Sequence, residues 1–215
     1  MTYGKNLQKV LRELIPIVEK VLLPQPSTRN VQFILFYLLS LKRSFPDTFC
    51  DWLLKRLIMP NEVMSKRLAV GSYLCGFLAR ADYVSHSTLK TAATILSSFC
   101  LDYIRSVPES KQAHSAEKFM PFYIASQALF YLIVFRQSEI GEDTLRQLNL
   151  SIIVFSKLNP LACCVPAIAM KFCDVMKETQ IAYCHGVLDK VSWIRAGSDW
   201  SDCQLGLCRR ESGNC

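Results

Sequence analysis

The chain has 215 residues, 51% of them hydrophobic and 20% charged, with only 8 glycines and 9 prolines. That length can bury a substantial core, and that composition excludes a disordered or low-complexity chain. A formal charge of +7 favours acidic partners but is too small to mark a dedicated nucleic-acid binder, so at most weak direct DNA binding is expected.

The opening MTYGKNLQKVLREL is polar and charged, with no apolar signal core and no small-residue cleavage site. A cytosolic or nuclear setting is the expectation, and there thiols stay reduced. Residues 31–41, VQFILFYLLSL, carry Val31, Ile34, Leu35, Leu38 and Leu41 at helical spacing behind a capping Asn30. Phe33, Phe36 and Tyr37 make the other faces apolar too, which predicts a helix flanked on several sides. The run is too short for a bilayer, which asks for about 20 residues.

Pro46 falls just inside the next helix, where its missing N–H is harmless, and Phe49, Trp52, Leu53 and Leu57 form its inner face. Asn61 is the expected cap of the following helix, whose buried positions include Leu68, Val70, Leu74, Phe77, Leu78 and Ala81. Within it Gly71, Cys75 and Gly76 are small residues on a crowded surface. A helical glycine costs about 1 kcal/mol against alanine, so their presence predicts close approach of another helix. Residues 86–106 then show one broad stripe, with Leu89, Ala92, Leu96, Phe99 and Tyr103 behind Ser85 or Ser87 as cap.

After the polar segment VPESKQAHSAEK, Pro121 opens a helix over 119–137 through Ile124, Ala128, Leu132 and Phe135. Short helices are predicted over 142–157. Asn159 is expected to cap a helix with Pro160 at its first position and a bend at Pro166, and 177–194 is helical again. Lys157 and the two prolines interrupt the apolar run 151–170, and in lipid they would be costly, so no membrane segment is expected.

With no period-2 strand, the fold class is all-α. It is a HEAT/armadillo-like α-solenoid of antiparallel helix pairs, roughly 30–58 and 62–106, with a compact bundle as the alternative. Residues 1–195 form the HEAT-like domain. Residues 196–215, AGSDWSDCQLGLCRRESGNC, lack a helical stripe and read as a disordered tail.

Ten cysteines and three histidines raise the question of chemistry. Neither Cys173 with Cys184-His185 nor Cys203 with Cys208 has the paired spacing of a metal site. No Gly-x-Ser-x-Gly elbow or His-Glu-x-x-His helix occurs. No metal, cofactor or catalytic residue is therefore assigned, and the protein is expected not to be an enzyme. The competing enzyme reading would use Cys184 as nucleophile, but Cys184 and His185 are neighbours on a helix and do not face each other.

VQFILFYLLS (31–40), GSYLCGFLARADYV (71–84), PFYIASQALFYLIVFR (121–136) and SKLNPLACCVPAIAMKF (156–172) together resemble the RNA polymerase I-specific transcription initiation factor family. The resemblance covers roughly 29–195, an internal portion of longer family members, and stops beyond Arg195. It implies a HEAT-repeat bridge that binds RNA polymerase I and contacts the promoter-bound core or selectivity factor. It also implies regulation by phosphorylation and a nuclear, largely nucleolar location; a homodimer is compatible with it. A generic HEAT-like scaffold and an inactive truncated portion of the factor are the other readings. Arg80 and Arg136, each closing a matched segment, are candidate partner contacts, with helix C-terminal capping as their structural alternative. Phe122 and Tyr123 are candidate aromatic anchors, with core packing as theirs.

Overall fold

In the computed structural model, the residues described are 13–24, 31–107 and 119–188. The expectations for Asn30, for most of the polar segment after Val107 and for the tail 196–215 lie outside them. In chain order the main helices are α1 Val31–Ser40, α2 Ser44–Ile58, α3 Met64–Arg80, α4 His86–Ser106, α5 Met120–Ile140, α6 Glu142–Gln147, α7 Leu150–Val154 and α8 Pro166–Glu178. A wide helical turn at Val18–Leu22 precedes them, and a tight one at Pro160–Cys163 separates α7 from α8. No strand occurs among the described residues, and no helix there is long and apolar enough to cross a membrane.

The helices pack as two layers, α2, α4 and α7 in one and α3, α5 and α8 in the other. Each pair α2–α3 and α4–α5 joins across the layers, while α2–α4, α4–α7, α3–α5 and α5–α8 stack along them. Stacked pairs of this kind make an all-α solenoid. The pairing expected over 62–106 is shifted: the principal neighbours of α3 are α2 and α5, not α4. The reason lies in α5, which is apolar on every face and fills the space between α3, α4 and α8. From Pro121 to Phe130 it is buried without a break, and each Leu, Ile or Phe so enclosed contributes about 1.5–3 kcal/mol. Gly141 ends it at φ +80°, a conformation that costs glycine nothing.

Close packing follows from residue size. A Cβ on Gly71 would run into Ile124 of α5, so the glycine sets the α3–α5 spacing. At Gly76 the nearest atoms are an Arg80 nitrogen at 3.5 Å, Gln32 Oε1 at 3.8 Å and the Phe36 ring at 4.0 Å, which places α1 against α3. Phe77 lies among Phe36, Phe49 and Tyr83, with ring centroids 5.3, 5.3 and 6.3 Å away. Phe130 meets Phe172 of α8 at 4.2 Å.

Helix starts follow the expectations in part. Ser85 Oγ accepts from the Thr88 amide at 3.3 Å, so Ser85 rather than Ser87 is the cap of α4. Asp47, in the first turn of α2, accepts from Ser85 Oγ at 3.1 Å and Thr88 Oγ1 at 2.7 Å. Asn61 does not cap α3, which starts two residues beyond Glu62 with Val63 extended at its edge. Glu62 is drawn instead to Arg56, 2.8 Å away, and the Arg67 side chain donates to the Met59 carbonyl.

Asn159 precedes a single tight turn without capping it through its side chain. Pro166 is not a bend but the first residue of α8, because its ring cannot continue a preceding helix. The helix expected over 177–194 is broken after Glu178, where Gln180 takes φ 56°; helical backbone returns at 185–188. The largest departure is α1. Phe33, Ile34, Tyr37 and Leu41 are 49–66% exposed, so among the described residues neighbours cover one side of α1 and not several.

Candidate protein-interaction surface

The four residues singled out as partner contacts separate into three inside the fold and one outside. Phe122 is fully enclosed, stacked on Tyr103 of α4 at 5.9 Å. Tyr123 is nearly as buried and its hydroxyl donates to the Leu158 carbonyl at 3.0 Å. That bond satisfies the polar end of a buried ring and ties α5 to the segment before the Pro160–Cys163 turn.

Arg136 is 4% exposed and acts as a cap, though not of its own helix. Its guanidinium donates to the carbonyls of Leu78 at 3.3 Å, Ala81 at 2.7 Å and Asp82 at 3.4 Å. These are acceptors at the end of α3, where helix geometry leaves carbonyls unpaired and the dipole favours positive charge. The other edge of the fork meets Glu139, with Nη2 2.6 Å from Oε2. The hydrogen bond from Arg136 holds the Glu139 carboxyl below its ordinary value, against the opposing effect of burial. His86 Nε2 lies 3.6 Å from Glu139 Oε2. Backbone at Arg136 departs from helical, with φ −132°, as the chain turns its guanidinium toward α3.

Arg80 is exposed, the last residue of α3. It lies beside Gly76, near Gln32 and the buried Phe36 on the side of α1 that packs against α3. Phe33, Tyr37 and Leu41 follow one another at four-residue steps along the uncovered face of α1, with Ile34 beside Phe33. Such a stripe offers what a protein partner uses: apolar area to desolvate. Periodicity missed it because an all-apolar helix gives no sign of which face is left open.

Catalytic chemistry finds little footing. Among the described residues no group of three His, Cys, Asp or Glu side chains is placed to hold a metal. Cys184 is fully buried, while His185 Nε2 meets Asp174 Oδ1 at 3.1 Å. Burial pushes the Cys50 and Cys100 thiols up to about 12 and raises Cys75 as well, so these three are unreactive core residues.

Comparison with known proteins agrees with this architecture. The sequence model described as "RNA polymerase I specific transcription initiation factor RRN3" matches residues 2–205, further at both ends than the segments 29–195 that first carried the resemblance. The RNA polymerase I-specific transcription initiation factor RRN3 of Mus musculus is 34% identical over 197 residues, covering 88% of this chain and 30% of its own length. Its namesake in Saccharomyces cerevisiae is 28% identical over 187 residues, covering 84% of this chain and 30% of its own. The crystal structure of RNA polymerase I transcription initiation factor Rrn3 superposes with a TM-score of 0.81 at 26% identity, over 93% of this chain and 43% of that one. The chain thus spans about 30% of the length of these curated relatives. Matched over nearly all of its residues, in order and in three dimensions, the chain belongs to the RNA polymerase I-specific transcription initiation factor family.

Proposed function

We propose that the chain serves RNA polymerase I initiation as a non-enzymatic docking unit, binding the polymerase and helping to join it to the promoter-bound core or selectivity factor. The family is one of transcription initiation factors and not of enzymes. The observation that carries the reading is the family match across residues 2–205. The exposed stripe of α1 and the exposed Arg80 at the end of α3 supply the contact surface, while Phe122, Tyr123 and Arg136 keep the helices behind it in register. Action is nuclear, and nucleolar in particular, where this polymerase works. Direct DNA contact is weak and salt-sensitive, as a net charge of +7 spread over a helical surface gives.

Retention of purified RNA polymerase I on the immobilised full chain, with RNA polymerase II as control, tests the reading. Selective retention of polymerase I is expected, reduced about tenfold by Arg80→Glu or Tyr37→Asp, since one lost interface contact of 1.4 kcal/mol is a factor of ten. No retention by a chain whose circular dichroism shows it folded overturns the reading. Equal retention of both polymerases favours a generic helical scaffold.

A further inference from the structure

The turn after α8 brings two cysteines together. Gln180 reverses the chain at φ 56°, the Ile181 amide donates to the Met176 carbonyl at 3.1 Å, and the Ala182 amide reaches the same oxygen at 3.4 Å. The returning strand of chain lays Cys184 over Cys173. Each is the main influence on the other's thiol, and both are fully buried. One residue further along each segment, His185 meets Asp174 at 3.1 Å, so consecutive residues of the turn are in register with consecutive residues of the helix. With the neighbouring pair His185–Asp174 already in contact, that register brings Cys184 and Cys173 to facing positions from which a disulfide can close. The lid over them is thin. Tyr183 is 68% exposed, Gln180 is exposed and Ile181 and Ala182 are half-buried. A few main-chain bonds hold that turn, and such edges open at far less cost than the whole fold.

We infer that Cys173 and Cys184 form a redox-modification site, a thiol pair that hydroperoxides oxidise to a disulfide, pinning the turn 179–184 onto α8. Cys184 is the attacking group because it lies on the turn that opens, whereas Cys173 is held within α8. In the first step Cys184 Sγ, as thiolate, attacks one oxygen of hydrogen peroxide; the O–O bond breaks and hydroxide leaves, giving a sulfenic acid. Cys173 Sγ then attacks the Cys184 sulfur, the S–S bond forms, and the S–O bond breaks with loss of water. Two thiols and one peroxide give one disulfide and two waters, the thiols supplying both electrons. The cysteines enclosed between packed helices, Cys50 and Cys100, have no thiol partner and no such lid.

The test is peroxide treatment of the full reduced chain, followed by alkylation of the remaining thiols and peptide mass mapping. A Cys173–Cys184 disulfide is expected, reversed by dithiothreitol and formed at least about tenfold faster than Cys50 or Cys100 is lost, as thiolate character and access dictate. Oxidation is also expected to slow proteolytic cleavage within 179–183 severalfold. In Cys173→Ser the Cys184 sulfenic acid should persist and react with dimedone; in Cys184→Ser the labelling of Cys173 should vanish. Pairing of either residue with Cys164, over-oxidation of Cys184 without a disulfide, or oxidation no faster than that of Cys50 overturns the proposal. Mapping on the unaltered chain decides this even if the serine variants fold poorly.

Discussion

Residues 35–39 read Leu-Phe-Tyr-Leu-Leu and residues 129–133 read Leu-Phe-Tyr-Leu-Ile, yet α1 and α5 meet opposite surroundings. In α5 the phenylalanine has no exposed surface and sits 4.2 Å from Phe172, and Leu132 and Ile133 are fully enclosed. In α1 the equivalent phenylalanine packs on Phe77, but the tyrosine beside it is 66% exposed. The difference is not hydrophobicity. α5 has α3, α4 and α8 around it, whereas α2 is the principal neighbour of α1. The same five-residue pattern is enclosed almost throughout in α5 but half-covered in α1, where Leu35, Phe36 and Leu39 are buried and Tyr37 is left out, and stacking order decides which.

Truncating the shared phenylalanine probes that contrast hardest. Phe130→Ala is expected to lower the unfolding free energy by about 4 kcal/mol and Phe36→Ala by about half as much, because the cavity left in α5 has walls on all sides. Urea melts of the two variants give the comparison directly, and equal costs would break it.

Next in size is Arg136→Met. It leaves the Leu78 and Asp82 carbonyls and Glu139 without that donor, while the Ala81 carbonyl keeps the Val84 amide, and should cost about 3 kcal/mol, the scale for breaking a buried ion pair. The Glu139 carboxyl is depressed in the folded chain, so its contribution is present above the unfolded carboxylate value and lost as pH falls through the depressed one. The gap between wild type and variant in thermal melts should therefore narrow below about pH 4.

Two glycines of α3 sharpen the comparison further. Gly71→Ala drives a Cβ into Ile124 of α5 and should destabilise by about 1–3 kcal/mol. Gly76→Ala faces α1, where the nearest atom is 3.5 Å from the new carbon; that is ordinary contact, and helix propensity favours the change by up to about 1 kcal/mol. Opposite signs in the two melts are expected. Smallest of all is Tyr37→Ser, which should shift stability by less than about 0.5 kcal/mol while weakening retention of RNA polymerase I.

The sequence disclosed the helices better than their relations. Regular stripes such as Leu89, Ala92 and Leu96 report a single buried face, and Ser85, Pro46 and Pro121 mark helix starts through local chemistry. The main misses share a cause: contacts that a local helical period does not register. Asn61 lost the start of α3 because Arg56 and Arg67 hold the preceding turn. α1 and α5 carry no polar face, so periodicity could not tell an enclosed helix from a half-covered one. The candidate contacts divided the same way. Arg80 has its charge in solvent, but Arg136, equally placed at the end of a matched segment, is consumed by the carbonyls of another helix. No local pattern around Arg136 distinguishes the two; a buried-facing arginine at the end of an otherwise apolar helix was the available hint.

The reach of Arg136 also bears on the order in which the chain is made. The last carbonyls of α3 wait for a donor that lies more than 50 residues downstream, as the sequence separations of 54 to 58 between the bonded residues state. Chains emerge from the ribosome at about 5–20 residues per second, so α3 leaves the exit tunnel several seconds before its stopper exists. During that interval the Ala81 and Val84 amides bond locally to Phe77 and Ala81, but the Leu78 and Asp82 carbonyls stay open to water until Arg136 is made. Protease sensitivity of nascent chains arrested just before and just after α5 has emerged should fall sharply across that point, at residues 78–82 in particular.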